Sequence, residues 1–206
     1  HHDIALIHNP PHSPPLQPNA QPPGSNHNLP KFFTSFIGRE DEVEQLTNYL
    51  LVERCPLMAI VGEGGVGKTR LASVVAERIC DPSGTLNFPD GIWFVACTSI
   101  DAGFTAPEQL LRIIGTNIGL SFRGATPLFK QLVDSLTSKS MLLIIDNFEH
   151  LADHLPLLLS LHEQAPAIQI LLISRHNIAT PHVKTLRLEG LEISAFSEKS
   201  IKYQLR

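Results

Sequence analysis

Gly62-Glu63-Gly64-Gly65-Val66-Gly67-Lys68-Thr69 fits the pattern G-x-x-x-x-G-K-[ST] and concentrates the clearest chemistry of this 206-residue chain. Glycines at that spacing let the backbone turn successive N–H groups inward around phosphate oxygens, where side chains would block the approach. Lys68 is placed to reach the β- and γ-phosphates, and the Thr69 hydroxyl to ligate Mg²⁺. Gly62, Glu63, Gly64, Gly65, Val66, Gly67 and the following Arg70 are expected to line the same nucleotide. The plainer alternative is a Gly-rich turn, and the flanks weigh against it. Residues 57–61 are an apolar run that reads as a buried strand, and residues 70–79 have helical periodicity with no Gly or Pro. Strand, glycine loop and helix are the context the pattern requires, and the helix adds its positive N-terminal end.

A phosphate loop of this kind needs an acid at the end of another apolar strand, holding Mg²⁺ through water. Met141-Leu142-Leu143-Ile144-Ile145-Asp146 supplies it, with Asp146 at the carboxyl end, the edge where ligands bind in open α/β sheets. An Asp that merely caps the next helix is the alternative. A complete strand, residues 91–97, lies between the loop and Asp146. That placement matches the ATPase branch of phosphate-loop folds, in which an additional strand separates the two site-bearing strands, and fits small kinases and translation-type GTPases less well. The chain has no Asn-Lys-x-Asp guanine signature, which favours adenine, as ATP or ADP.

These groups need a scaffold, and the periodicity describes one. Apolar strands are expected at 57–61, 91–97, 141–146, 168–174 and 183–188. Helices are expected at 39–51, whose first turn is acidic, at 70–79, from the capping box Thr105-Ala106-Pro107-Glu108 to about Ile118, at 127–136, and at 150–164 with an interruption near Pro156. Continuous apolar strands alternating with helices indicate an α/β fold: a three-layer α/β/α arrangement around a mostly parallel five-stranded sheet.

Residues 1–29 read as a Pro-rich disordered linker. Residues 1–30 hold eight of the sixteen prolines, and Asp3 is their only formally charged side chain. Such a linker implies a further segment upstream, and a start at His1-His2 without Met reads as a tag scar or a fragment. Residues 30–190 form the nucleotide-binding domain, and 191–206 begin a helical tail or lid. The net charge of −4 gives no footprint for nucleic acid. Cys55, Cys80 and Cys97 lack metal-ligand spacing and read as buried, reduced thiols of a cytoplasmic protein. The ten histidines are scattered and define no zinc site. No apolar run approaches the roughly 20 residues of a membrane span.

Four ordered motifs make a more specific likeness: Phe36-Ile37-Gly38-Arg39-Glu40, the loop continuing as Thr69-Arg70-Leu71-Ala72, the stretch 142–151 (LLIIDNFEHL), and Leu171-Leu172-Ile173-Ser174-Arg175. Over residues 30–190 or so the chain resembles the NB-ARC branch of the STAND signalling ATPases, above all bacterial members found in transcriptional regulators and predicted regulatory ATPases. The resemblance implies that Ile37 and Arg39 contact adenine and ribose, although Phe36 and Ile37 could instead be a hydrophobic staple for the next helix. It implies that Arg175 senses the γ-phosphate, against the alternative of a surface arginine at a strand end.

Two departures stand out. Many relatives carry a second acid after the metal-holding Asp, whereas this chain has Asn147, an amide that cannot act as a general base. Glu149 or His150 could substitute, or Glu149 could be a helix N-terminal acid. The resemblance also implies a helical lid and a winged-helix domain after residue 190, of which 191–206 would be only the start. Together these features lead to an ATP/ADP- and Mg²⁺-binding switch domain with slow hydrolysis at most. Lys68, Asp146 and Arg175 would be its working residues, and other domains of a larger protein and nucleotide-dependent self-association its partners. The rival readings are an AAA-type catalytic ATPase coupling hydrolysis to remodelling, and a non-hydrolysing interaction scaffold.

Overall fold

A strand such as Leu57-Met58-Ala59-Ile60-Val61 sends alternate side chains to opposite faces, so with no polar position it needs apolar cover on both. The computed structural model describes residues 27–80, 87–100, 103, 106–178 and 180–190, and supplies that cover. Five strands, β1 (Leu57–Val61), β2 (Ile92–Ala96), β3 (Leu142–Asp146), β4 (Gln169–Ser174) and β5 (Lys184–Arg187), form one sheet in the order β2-β3-β4-β1-β5. Every pairing in it is parallel. The strand that separates β1 from β3 in space is β4, whereas β2, which separates them in sequence, lies at the edge.

Helices α1 (Glu40–Leu51) and α2 (Lys68–Ile79) cover one face. There Leu46, Leu50, Leu71 and Val75 pack with Met58, Ile60, Ile144 and Ile173. Helices α3 (Ala106–Asn117), α4 (Leu128–Leu136) and α5 (Leu155–Gln164) cover the other, where Leu110, Leu132, Leu136 and Leu158 meet Leu57, Ala59, Leu143 and Leu172. The result is the expected three-layer α/β/α fold. Fully burying one such side chain contributes about 1.5–3 kcal/mol, so each face is held by many individually moderate terms.

Two local outcomes differ from the sequence pattern. The helical stretch expected from residue 150 starts at Phe148 as a 3-10 helix, Phe148–His154, and becomes α-helical at Leu155. Pro156 opens α5 rather than interrupting a helix, because in a first turn its missing N–H removes no intrahelical bond.

Packing also starts earlier than residue 30. His27 bridges to Ile92, and Leu29 is buried. Asn28 lays its side-chain amide along the outer edge of β2, donating to the Phe94 carbonyl at 2.9 Å and accepting from the Phe94 N–H. The rest of the Pro-rich segment (1–26), Asp81-Pro82, Thr105 of the capping box and residues 191–206 lie outside the described residues.

Candidate functional site

The carboxyl ends of β1, β4 and β3 adjoin one another, with Val61 opposite Ser174 and Ile145 opposite Leu172. Gly62 to Gly67 leave β1 at that edge and lead into α2. Glycine at 62 is a packing requirement: a β-carbon there would lie 2.2 Å from the Leu188 carbonyl oxygen. The Leu188 N–H in turn donates to the Val61 carbonyl at 2.7 Å, so the chain leaving β5 lies directly on the root of the loop. Gly67 caps α2 at φ +100°, a left-handed conformation open to glycine, and the space its β-carbon would fill is empty of protein atoms. The first turn of α2 has neither a side-chain cap nor an acid, leaving its N–H groups and positive end to an anion. Lys68 is only 8 % exposed, and its ammonium donates to the Gly62 and Glu63 carbonyls, both at 2.8 Å. Burial lowers its pKa from the ordinary lysine value. The nearby Glu149 carboxylate opposes that fall, Arg175 adds to it, and Asp146 opposes it.

At the end of β3, the Thr69 hydroxyl donates to Asp146 Oδ2 at 2.9 Å, and the Asn147 N–H donates to Asp146 Oδ1 at 2.9 Å. Burial pushes the Asp146 carboxyl above its ordinary range, while the bonds from Thr69 and Asn147 pull it back. Thr69 and Asp146 are hard oxygen donors in contact at a helix N-terminus. That set suits Mg²⁺, which takes one or two protein oxygens and keeps water or phosphate for the rest of its shell. Among the described residues no group of three or more His, Cys, Asp or Glu forms a separate metal cluster.

Asn147 has φ +62°, a left-handed conformation in which Asn is several-fold enriched. The turn made there leads into the 3-10 helix and directs Glu149 toward the end of β4. The Glu149 carboxylate pairs with Arg175 Nε at 3.2 Å and accepts the Arg175 main-chain N–H at 3.4 Å. The guanidinium carbon of Arg175 stands 3.7 Å from where a Gly64 β-carbon would be, so this cation lies over the loop. His150 faces elsewhere: its Nε2 is 3.1 Å from the Cys97 carbonyl oxygen, beyond β2. The turn carrying Arg175 is closed by Ser174, whose hydroxyl donates to the His176 carbonyl at 2.8 Å and accepts the His176 N–H at 3.1 Å.

The segment before α1 is tied to the loop by two arginines. Arg39, 6 % exposed, pairs with Glu42 at 2.8 Å and donates to the carbonyls of Val66 and Glu189. Arg70 lies 4.5 Å over the Phe32 ring and donates to the Thr34 carbonyl. Ile37 is exposed, as is Phe33. The structure thus gathers residues 62–69, Asp146 and Arg175 at the carboxyl edge of the sheet. The Arg39 and Arg70 guanidiniums are engaged with protein groups, and Ile37 faces solvent. Ser174 stands within the sequence motif ending at Arg175 but was given no role there, although the Ser-x-His turn was an available signal. Leu188 and Glu189 were given none either, and for them no local signal exists.

Residues 35–173 match the family model described as AAA ATPase domain. An NLR-like nucleotide-binding leucine-rich repeat protein of Hyaloscypha variabilis is 35 % identical over 126 residues, covering 57 % of this chain and 12 % of that protein. A protein named as an HTH-type transcriptional regulator in Mycobacterium tuberculosis is 29 % identical over 140 residues, 67 % of this chain and 14 % of its own length. The chain therefore spans only about an eighth of the curated relatives it matches. Among solved structures, the ADP form of the Aeropyrum pernix ORC2 protein superposes with a TM-score of 0.60 at 19 % identity, over 84 % of this chain and 53 % of that one. A STAND protein with a tetratricopeptide repeat sensor from Pyrococcus horikoshii gives 0.52 at 19 % identity, over 90 % and 28 %. These structures share the fold, and the relatives agree with the STAND-type resemblance. The chain belongs to the AAA ATPase domain family.

Proposed function

We propose that this AAA ATPase domain is the adenine-nucleotide switch of a larger signalling or transcription regulator, binding ATP or ADP with Mg²⁺ and hydrolysing ATP slowly at most. One observation carries the reading: the phosphate loop, the 2.9 Å Thr69–Asp146 contact and the Arg175 guanidinium meet at one sheet edge. Lys68 and the N–H groups of residues 62–69 would hold the phosphates, and Thr69 and Asp146 the metal. Arg175, whose guanidinium lies over Gly64, would reach a terminal phosphate, and the exposed apolar side chain of Ile37, with Arg39, would meet the base and ribose. When bound, Mg²⁺ supplies neutralisation of phosphate charge.

The chain's own residues favour holding over turnover. Asn147 cannot accept a proton, its N–H is committed to Asp146, and Glu149 is paired with Arg175. The nucleotide state would act on other domains of the parent protein and on self-association, by biasing an equilibrium between two arrangements. A cytoplasmic setting accords with the buried thiols Cys55 and Cys97, and among the described residues no helix is long and apolar enough to cross a membrane.

Calorimetric titration of ATP, ADP and GTP with Mg²⁺ tests the proposal. Adenine-selective binding is expected. Lys68→Ala is expected to weaken it by at least about 100-fold with the fold intact, because a charge-assisted donor to phosphate is lost. Retained affinity in that variant, or no nucleotide binding by the folded chain, overturns the assignment. The family match keeps a catalytic AAA-type ATPase as the second reading, and steady-state turnover that rises with protein concentration would favour it.

A further inference from the structure

Glu149 holds more of Arg175 than an ordinary surface ion pair does. One carboxylate oxygen meets the side-chain Nε at 3.2 Å, and the other accepts the Arg175 main-chain N–H at 3.4 Å. The two partners are unequally anchored: the Glu149 side chain is 16 % exposed and that of Arg175 60 %. Glu149 sits on the 3-10 helix that leaves the left-handed turn at Asn147, and Asn147 is itself bonded to the Asp146 carboxylate. The acid is thus fixed relative to the Asp146 carboxylate, and the more exposed cation is the partner with room to move. That cation lies over Gly64, on the loop where a phosphate chain would enter.

On the reading of the site as a nucleotide switch, we infer that Glu149 sets the preference between ATP and ADP, because it competes with a γ-phosphate for the Arg175 guanidinium. A nucleotide carrying a γ-phosphate offers Arg175 a more highly charged acceptor than a carboxylate and must displace Glu149 to gain it. A nucleotide that ends at the β-phosphate leaves the Glu149–Arg175 pair in place. The acid therefore penalises the triphosphate alone and acts through Arg175, as a positioning and specificity-determining residue. Lys68 and Asp146 also face Glu149, so a second route exists in principle: direct repulsion between the carboxylate and the added phosphate charge. The two routes differ in whether Arg175 is required.

A double-mutant cycle on the 206-residue chain separates them. Dissociation constants for Mg²⁺-ADP and for a non-hydrolysable Mg²⁺-ATP analogue are measured in the parent, Glu149→Gln, Arg175→Ala and the double variant, with melting temperatures for each. Glu149→Gln is expected to raise affinity for the ATP analogue relative to ADP by about fivefold, the scale of a partly exposed ion pair. The same substitution in the Arg175→Ala background is expected to leave the ratio unmoved. Should Glu149→Gln not fold, Glu149→Asp, which keeps the charge and shortens the reach, is expected to shift the ratio in the same direction. A ratio unchanged by either substitution overturns the inference, and so does an equal rise with and without Arg175, which assigns the effect to repulsion. In both cases the nucleotide-switch reading stands. A folded parent that binds neither nucleotide removes the switch reading, and this inference with it.

Discussion

Burial raises the Asp146 carboxyl above the ordinary aspartate value of 3.8, so between that value and its folded one the native chain holds the proton more tightly than the unfolded chain. Stability from this group is fully present below the ordinary value and is lost as pH rises through the folded one. As pH rises above the ordinary value, the fold therefore carries a growing cost for ionising this buried group. Asp146→Asn is expected to raise the melting temperature at pH 7, and to lose that advantage near pH 3, while abolishing Mg²⁺-dependent nucleotide binding. Thermal scans at the two pH values check the first part, and a titration with and without Mg²⁺ the second. Cys97, by contrast, is fully buried, and burial, with Asp146 adding to it, pushes its thiol up to about 12. Since the thiolate is the nucleophile, iodoacetamide at pH 8 should leave Cys97 unmodified in the native chain and alkylate it on unfolding, as read by mass spectrometry of its peptide.

At the scale of elements, the loop and the turn after β3 are each fixed by one backbone requirement. Gly62→Ala would drive a methyl group into the Leu188 carbonyl, and is expected to cost about 1–3 kcal/mol as an overpacking change and to weaken nucleotide binding. Asn147→Val is expected to cost about 1–2 kcal/mol because a β-branched residue resists the left-handed conformation, whereas Asn147→Gly should be close to neutral. Denaturant titration measures all three. These elements also mark how far the sequence could be read. The apolar runs at 57–61, 142–146 and 169–174 and the glycine loop announce themselves, because burial on both faces and phosphate geometry each leave a local residue pattern. The sheet order does not: β2 and β4 are similar short strands with substantial apolar faces, and only packing decides that β4 enters between β1 and β3. The 3-10 helix was equally hidden, since its residues have ordinary helical composition and the cause lies in the turn at Asn147. At the site, the loop, Asp146 and Arg175 were legible as motifs. The grip of Glu149 on Arg175, and of Arg39 on Val66 and Glu189, joins residues far apart in sequence and leaves no spacing to find.

Over the whole molecule, the outer edge of β2 is closed by the short segment at His27 and Asn28. An uncovered edge is a template for pairing with another chain, and the Asn28 amide blocks part of this one by imitating a strand's own donor and acceptor. Asn28→Ala is expected to cost about 1–2 kcal/mol, leaving Phe94 backbone groups without those partners, and to increase self-association under light scattering. The opposite flank, beyond β5, has a mechanical character. The strand hands the chain to Leu188 and Glu189, which are bonded to the root of the phosphate loop and to the Arg39 that braces Val66. Tension applied at residue 190 would accordingly reach the loop before it loaded the interior of the sheet, so that a pull on this end and the grip on phosphate bear on the same few atoms.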